Sequence, residues 1–222
     1  MKALLLLLLV GCGEVKNTTV DAAKSDGPTS DQSGAVDGSP DTPADADLSP
    51  RKVFITSTTH SGNLSGLAGA DAICQARAQT ALLPGTYKAW LADGNLAPAS
   101  RMTHGLGPYR LVNDTVIATS WTDLTDGTLV AAVNRTETGA LLGGPGCPAL
   151  TTGCNFICEG GEFWSNVAAD GTRNTATGDC GAWTGTGSGT AGNVGKITAL
   201  WTAGSCSAIG CGSTLPFMCV QQ

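Results

Sequence analysis

"GNLSGLAGADAICQARAQTALLPGTYKAWLAD", residues 62–93, changes its hydrophobic period partway along. Ala70, Ile73, Cys74, Ala78 and Ala81 recur at helical spacing, which predicts one helix over 68–82. Pro84-Gly85 ends it. "YKAWLA" (87–92) then reads as a strand, and upstream "KVFITS" (52–57) reads as another. Downstream, "YRLV" and "TVIAT" flank Asn113-Asp114, the signal for a tight hairpin. Ser120-Trp121-Thr122-Asp123 has the form of a capping box opening a short helical turn. Beyond residue 140 glycines and cysteines punctuate short apolar pieces, and the chain reads mostly as loop. No strand–helix–strand alternation recurs and no internal repeat is present. The expected class is α+β, with antiparallel strands, one main helix and long loops.

Every Trp, Tyr and Phe of the 222 residues lies in 51–222. That part is long enough to bury one core. Residues 12–50 are dominated by Ser, Thr, Pro, Gly, Ala and Asp, too little apolar surface to offset ordering entropy, so they predict a disordered tether. Residues 13–50 hold eight acids and two lysines, a balance of −6; residues 51–222 hold ten acids and nine basic residues, a balance of −1. The acidity therefore belongs to the tether and describes no binding face. A nearly neutral domain with scattered arginines also argues against a heparin or nucleic-acid surface. As a flexible coil the tether would reach about 35 Å.

The apolar run Ala3–Val10 follows Lys2 and precedes Gly11. It is far short of the roughly 20 residues that span a bilayer, and it has the layout of a secretory signal. Leu9-Val10-Gly11-Cys12 resembles the bacterial lipobox. The resemblance implies removal of 1–11, diacylglycerylation of the Cys12 thiol and acylation of the new amino terminus. Several acyl chains, at about 0.8 kcal/mol per buried methylene, anchor a protein durably. Gly13 stands where an inner-membrane retention aspartate would be, which favours the outer membrane or the cell surface. Export places the other eight of the nine cysteines where disulfides persist, although spacing alone does not choose their pairing.

Several ordered motifs are similar to endostatin-like domains, a branch of the C-type-lectin-like superfamily. Gly-Ala-Asp precedes Cys74, an Ala-Arg pair follows it, and Gly85-Thr86-Tyr87-Lys88-Ala89 comes next. "SWTDLTDG" (120–127) resembles that branch's Trp-x-x-Leu-x-x-Gly. "EFWSNVAADGT" (162–172), "GDCGAWT" (178–184) and "CGSTLPFMCVQQ" (211–222) resemble its later Trp, Cys-x-x-Trp and terminal elements. The likeness covers nearly all of 52–222 and is closest to a bacterial family of surface lipoproteins of unknown function carrying such a domain. It implies a C-type-lectin-like fold with disulfide-stapled loops, and the bridges Cys74–Cys219 and Cys180–Cys211. Cys206 is a rival partner for Cys180, since it follows Trp201. Cys147, Cys154, Cys158 and Cys206 are then expected in two further bridges. Trp90, Trp121, Trp183 and Trp201 match core positions of the family.

Candidate chemistry is sparse. The zinc-binding histidine cluster of endostatin has no counterpart, since His60 and His104 are the only histidines and read as exposed turn residues. "GSGTAG" (187–192) matches G-x-G-x-x-G, but no strand leads into it, so it reads as a flexible surface loop and no nucleotide is expected. No Gly-x-Ser-x-Gly elbow exists. Asp123 with Asp126, and Glu159 with Glu162, read as solvated loop acids. The lectin calcium motifs Glu-Pro-Asn, Gln-Pro-Asp and Trp-Asn-Asp are absent. A non-standard calcium site at Asn166, Asp170, Asn174 and Asp179 is the one alternative to having no metal or cofactor. Trp164 reads as core, with ligand stacking as its alternative; with Asn166 and Asp170 it forms the candidate ligand set.

The sequence thus predicts a non-enzymatic cell-surface lipoprotein presenting a binding or adhesion module for an extracellular polysaccharide, matrix component or protein. A structural envelope protein without a specific ligand and an exported enzyme with an unrecognised site are the alternatives. Metabolic labelling with a fatty acid tests the anchor: the full chain should take up label, and Cys12→Ser should abolish it.

Overall fold

Alternation along the strands builds a sheet that is apolar on both faces. The computed structural model describes residues 47–142, 161–175, 178–204 and 209–222, all within one unit, Pro43–Gln222. In β1 (Arg51–Ile55), Val53 and Ile55 enter one core cluster and Phe54 the other. In β9 (Met218–Gln221), Met218 and Val220 join the first cluster and Cys219 the second. This is the period of two that a strand imposes. With β2 (Tyr87–Ala89), β3 (Tyr109–Leu111) and β4 (Val116–Ala118), they form one sheet in the order β2-β9-β1-β3-β4.

One face is covered by the helix α1 (Gly66–Thr80), whose Leu67, Ala70, Cys74 and Ala78 are buried. Its alanines favour helix formation. It starts and stops about two residues before the expected bounds, and the C-terminal shift has a local cause. Leu82 adopts a left-handed conformation (φ 57°), its N–H donates to Gln79 O (3.0 Å), and the Leu83 N–H donates to Ala78 O (2.9 Å). That is a Schellman stop, completed before Pro84 is reached and carried by a leucine where glycine is usual. Two polar residues on α1 dock it to the sheet: Asp71 Oδ1 accepts the Ala89 N–H (2.8 Å) and Gln75 Oε1 the Tyr87 N–H (2.9 Å). Arg77 and Ser57 both engage Glu137, tying α1 to the 135–140 turn.

The other face buries Trp90, Trp121, Trp201 and Phe163. Trp90 lies 5.7 Å from Trp121 and 5.3 Å from Trp201, ring centre to ring centre. The Asn113-Asp114 hairpin joins β3 to antiparallel β4, with Asp114 at φ 68°. Ser120 caps α3 (Trp121–Leu124) by accepting the Asp123 N–H at 3.2 Å, while Asp123 reaches back to the Thr119 N–H rather than to that of Ser120.

Two expectations are corrected here. The sheet is mixed rather than antiparallel, because β1 and β3 run parallel through Arg51↔Tyr109, Lys52↔Arg110 and Val53↔Leu111. The chain between them is long enough for a crossover, yet β2 interrupts it and joins the opposite edge, so no simple strand–helix–strand signal survives. "GSGTAG" is not a surface loop either. It supplies β6 (Ser188–Gly189) and part of β7 (Ala191–Asn193), and Thr190 and Ala191 are buried. β7 pairs with β5 (Glu162–Trp164), and β6 pairs with β8 (Ile209–Gly210). A Cβ at Gly189 would meet the Trp164 ring at 2.8 Å, and one at Gly192 the Phe163 ring at 2.6 Å. Those glycines are there for close packing.

Cys74 is bonded to Cys219, and Cys180 to Cys211, the two pairs named from the resemblance. Cys12, Cys147, Cys154, Cys158, Cys206, the lipobox and tether residues 12–46 lie outside the described residues. The Cys74–Cys219 bond spans 145 positions and joins α1 to the strand between β1 and β2. Closing a loop of that length should stabilise the fold by about 4–5 kcal/mol. The Cys74→Ala/Cys219→Ala pair is therefore expected to lose that amount in urea unfolding.

Candidate functional site

The described surface offers one groove where polar groups with unused hydrogen-bonding capacity converge. Its first wall is the turn after Ala92. There Asp93 Oδ1 accepts the N–H groups of Asn95 and Leu96 (both 2.8 Å), an Asx turn that leads into α2 (Pro98–Arg101). Its second wall is the turn 168–173. There the Gly171 N–H donates to Ala168 O (3.0 Å), and Asp170 Oδ1 accepts the Thr172 N–H (2.9 Å) and hydroxyl (2.6 Å). These bonds hold the Asp170 carboxyl below the usual range. The Ala99 N–H donates to Gly171 O at 2.9 Å and joins the walls.

Between them lies a cavity of about 260 Å³ lined by Asp93, Asn95, Leu96, Ser100, Thr172 and Arg173. Arg173 makes no hydrogen bond among the described residues; its sole ionic contact is to Asp179 Oδ2 at 3.8 Å. Asp93 spends only Oδ1 on its turn, which leaves Oδ2 as an acceptor. Leu96, half exposed, adds an apolar surface. A guanidinium, a carboxylate oxygen and a carboxamide over an aliphatic floor can hold a small ligand bearing several hydroxyls.

The residues expected to bind ligand are placed otherwise. Trp164 is fully buried, its indole N–H donates to His60 O (2.8 Å), and its ring meets Trp183 edge-on at 5.9 Å, so the stacking alternative is corrected. β5 carries it into the core, pairing it with Ala191 of β7, and the missing side chain of Gly189 leaves its ring room. Asn166 is also fully buried, donating through Nδ2 to Ala92 O (3.2 Å), so it acts as a brace. Asp170 is exposed but shapes its own turn and does not line the cavity. Three of the four residues expected for calcium use a side-chain oxygen separately: Asn166 Oδ1 accepts from the Thr190 hydroxyl (3.5 Å), Asp170 Oδ1 serves its own turn, and Asp179 Oδ1 accepts the Ala182 N–H (3.0 Å). Among the described residues no group of three or more His, Cys, Asp or Glu side chains is placed to hold a metal. Of the residues lining this cavity, Asp93-Gly94-Asn95 carries a turn signal in the sequence, whereas nothing around Arg173 marks it.

His104 is exposed and stacked on Trp121 at 4.1 Å. His60 departs from an exposed turn residue. It is half-buried, packs on Phe217 at 5.6 Å and shares a hydrogen bond with Thr58 Oγ1 at 2.9 Å. Burial, and then the charge of Arg77, pull its imidazole below the ordinary range. A larger cavity of about 380 Å³ lies over Ala81, Leu83, Val112 and Gly139 and reaches Glu137. Burial alone would raise the Glu137 carboxyl, but hydrogen bonds from Ser57 and Arg77 outweigh it and hold the group low, so its lone pairs are committed. Asp123 and Asp126 are spent on a helix start and a turn. Glu159 lies outside the described residues. Glu162 is no solvated loop acid: it is 5 % exposed because β5 runs into the core, and Oε1 has no partner.

A family model described as protein of unknown function (DUF1554) matches residues 57–200, a span that includes α1, both walls of the groove and Cys180. No curated protein matches the chain.

Burial raises the Glu162 carboxyl to about 7. The unfolded chain gives up this proton near the ordinary carboxylate value and the folded chain retains it. The associated stability is therefore fully present below about pH 4.5, is lost between there and about pH 7, and stays lost above. The loss should be on the order of 3 kcal/mol. Glu162→Gln is expected to flatten the decline in unfolding free energy over that interval and to exceed the parent at pH 8.

Proposed function

We propose that this chain, which belongs to the DUF1554 family of proteins of unknown function, is an exported, lipid-anchored surface protein whose folded part binds an extracellular polysaccharide, matrix component or protein. The groove between residues 93–100 and 170–173 is the ligand site in this reading. The observation that carries it is Arg173, a partly exposed guanidinium with no hydrogen bond among the described residues, sharing one cavity with Asp93 and Asn95. Buried polar atoms in folded proteins are ordinarily satisfied, and Arg173 Nε is buried without a partner, which together with the free Asp93 Oδ2 favours a ligand here. The ligand's hydroxyls would accept from Arg173 and donate to Asp93 Oδ2, and its apolar face would cover Leu96.

The assignment to an endostatin-like, C-type-lectin-like fold belongs to the same proposal. Its support is the pair of described disulfides, which are those the resemblance implies, and the terminal strand lying between the first and second strands. Calcium-independent binding is part of this reading, supported by the absence of the lectin calcium motifs and by the separate engagement of Asn166 Oδ1, Asp170 Oδ1 and Asp179 Oδ1.

A glycan array probed with the detergent-solubilised full chain tests the reading. Binding is expected, unchanged by a calcium chelator. Arg173→Gln and Asp93→Asn should each weaken it by roughly tenfold or more, the cost of a hydrogen bond to a charged group. A blank array, or binding indifferent to both substitutions, would overturn the saccharide form of the site.

A further inference from the structure

Four consecutive residues turn the wrong way. Cys180 (φ 53°), Gly181 (φ 62°), Ala182 (φ 54°) and Trp183 (φ 63°) form one turn of left-handed helix, α4 (Cys180–Trp183). Three of the four carry side chains, whose Cβ atoms crowd the backbone in this conformation. A turn like this persists only where its surroundings over-determine it. Here they are the Cys180–Cys211 bond, the Asp179 carboxylate on the Ala182 N–H (3.0 Å), the Leu64 N–H on Trp183 O (2.9 Å), and the buried Trp183 ring.

Two of these restraints are also supports of the groove. The Trp183 indole N–H donates to Ala92 O (2.9 Å), at the base of the first wall. Asp179, which starts the turn, is the ionic partner of Arg173 in the second wall. We propose that the Cys180–Cys211 disulfide is a redox control on the groove, a reading that rests on the groove being the ligand site. With the bond closed, the left-handed turn holds Ala92 and Arg173 in place. With it open, the turn relaxes toward ordinary backbone conformations and both walls lose their anchor.

All four cysteines of the two described disulfides are buried, but their surroundings differ. Cys74 and Cys219 are fully buried between α1 and the centre of the sheet. Cys211 follows the two-residue strand β8 and is flanked by exposed Gly210 and Gly212, so a small local opening uncovers it. The reductant is a dithiol. One of its thiolates attacks Cys211 Sγ and displaces Cys180 as a thiolate; its second sulfur then displaces Cys211. The dithiol becomes a disulfide, giving up two electrons and two protons, and both cysteines end as thiols. By reciprocity, a ligand that prefers the closed groove protects the bond from reduction.

Graded dithiothreitol treatment of the full chain, followed by alkylation of the released thiols and peptide mass spectrometry, orders the two bonds. Hydrogen exchange on the same samples reads the walls without any ligand. Cys180 and Cys211 should be alkylated while Cys74–Cys219 is intact. In that species exchange over 92–100 should rise roughly tenfold while α1 keeps its protection. Ala182 is exposed and lines nothing in the groove, and Ala182→Gly removes part of the strain, so this variant should show a smaller rise after reduction. Prior opening of Cys74–Cys219, unchanged exchange over 92–100, equal loss of protection in α1, or an undiminished rise in Ala182→Gly would each overturn the control. A blank glycan array would leave these readouts intact, so failure of the ligand reading and failure of the control are distinguishable.

Discussion

Ala89 meets no neighbouring strand on its outer side, and its N–H and C=O are taken by an ion pair instead. The N–H donates to Asp71 Oδ1 at 2.8 Å, the carbonyl accepts from Arg101 Nη1 at 2.7 Å, and the two side chains bind each other. Asp71 and Arg101 together stand in for a missing strand. An uncovered edge invites pairing with other chains, and this one is closed by two side chains and by Gln75 on the next N–H. The rest of the architecture follows from that closure. Asp71 and Gln75 fix the height of α1 over the sheet, Cys74 then falls opposite Cys219, and Ala70 and Ala78 are small enough to let the helix sit close.

Much of this frame is legible in the amino-acid order because its causes are local. The α1 stripe, the Asn113-Asp114 hairpin and the Ser120 cap each depend on residues within one turn of one another. Elsewhere the cause is remote. The parallel pairing of β1 with β3 is hidden because β2 breaks the crossover and leaves for the far edge. Gly189 and Gly192 look like loop residues until Trp164 and Phe163 occupy the space their side chains would need. Glu162 looks solvated because charge normally is; only its register in β5, between buried neighbours, takes it from water.

The groove was invisible for a related reason. Asp93 and Arg173 are 80 positions apart in the sequence, and neither carries a motif. They meet because Ser165 and Asn166 both bond to Ala92, through the Ala92 N–H to Ser165 O at 3.2 Å and Asn166 Nδ2 to Ala92 O at 3.2 Å. Asn166 and Asp170, the residues that composition singled out, turn out to build the walls rather than to face the space between them. Burial of Asn166 and the turn bonds of Asp170 depend on remote or backbone-held partners, which residue type alone does not disclose.

The position of β9 has a further consequence, in time rather than in space. Met218–Gln221 separates β1 from β2, so β2 has no strand partner, and β1 has only β3, until residues 218–221 are made. The sheet stays in two unjoined halves while the intervening residues are made, and its central contacts carry the largest loop-closure cost in the molecule. The pairings that unite the two halves therefore form last. A truncation that removes only these four residues would leave β1 and β2 unjoined and Cys74 without its disulfide partner.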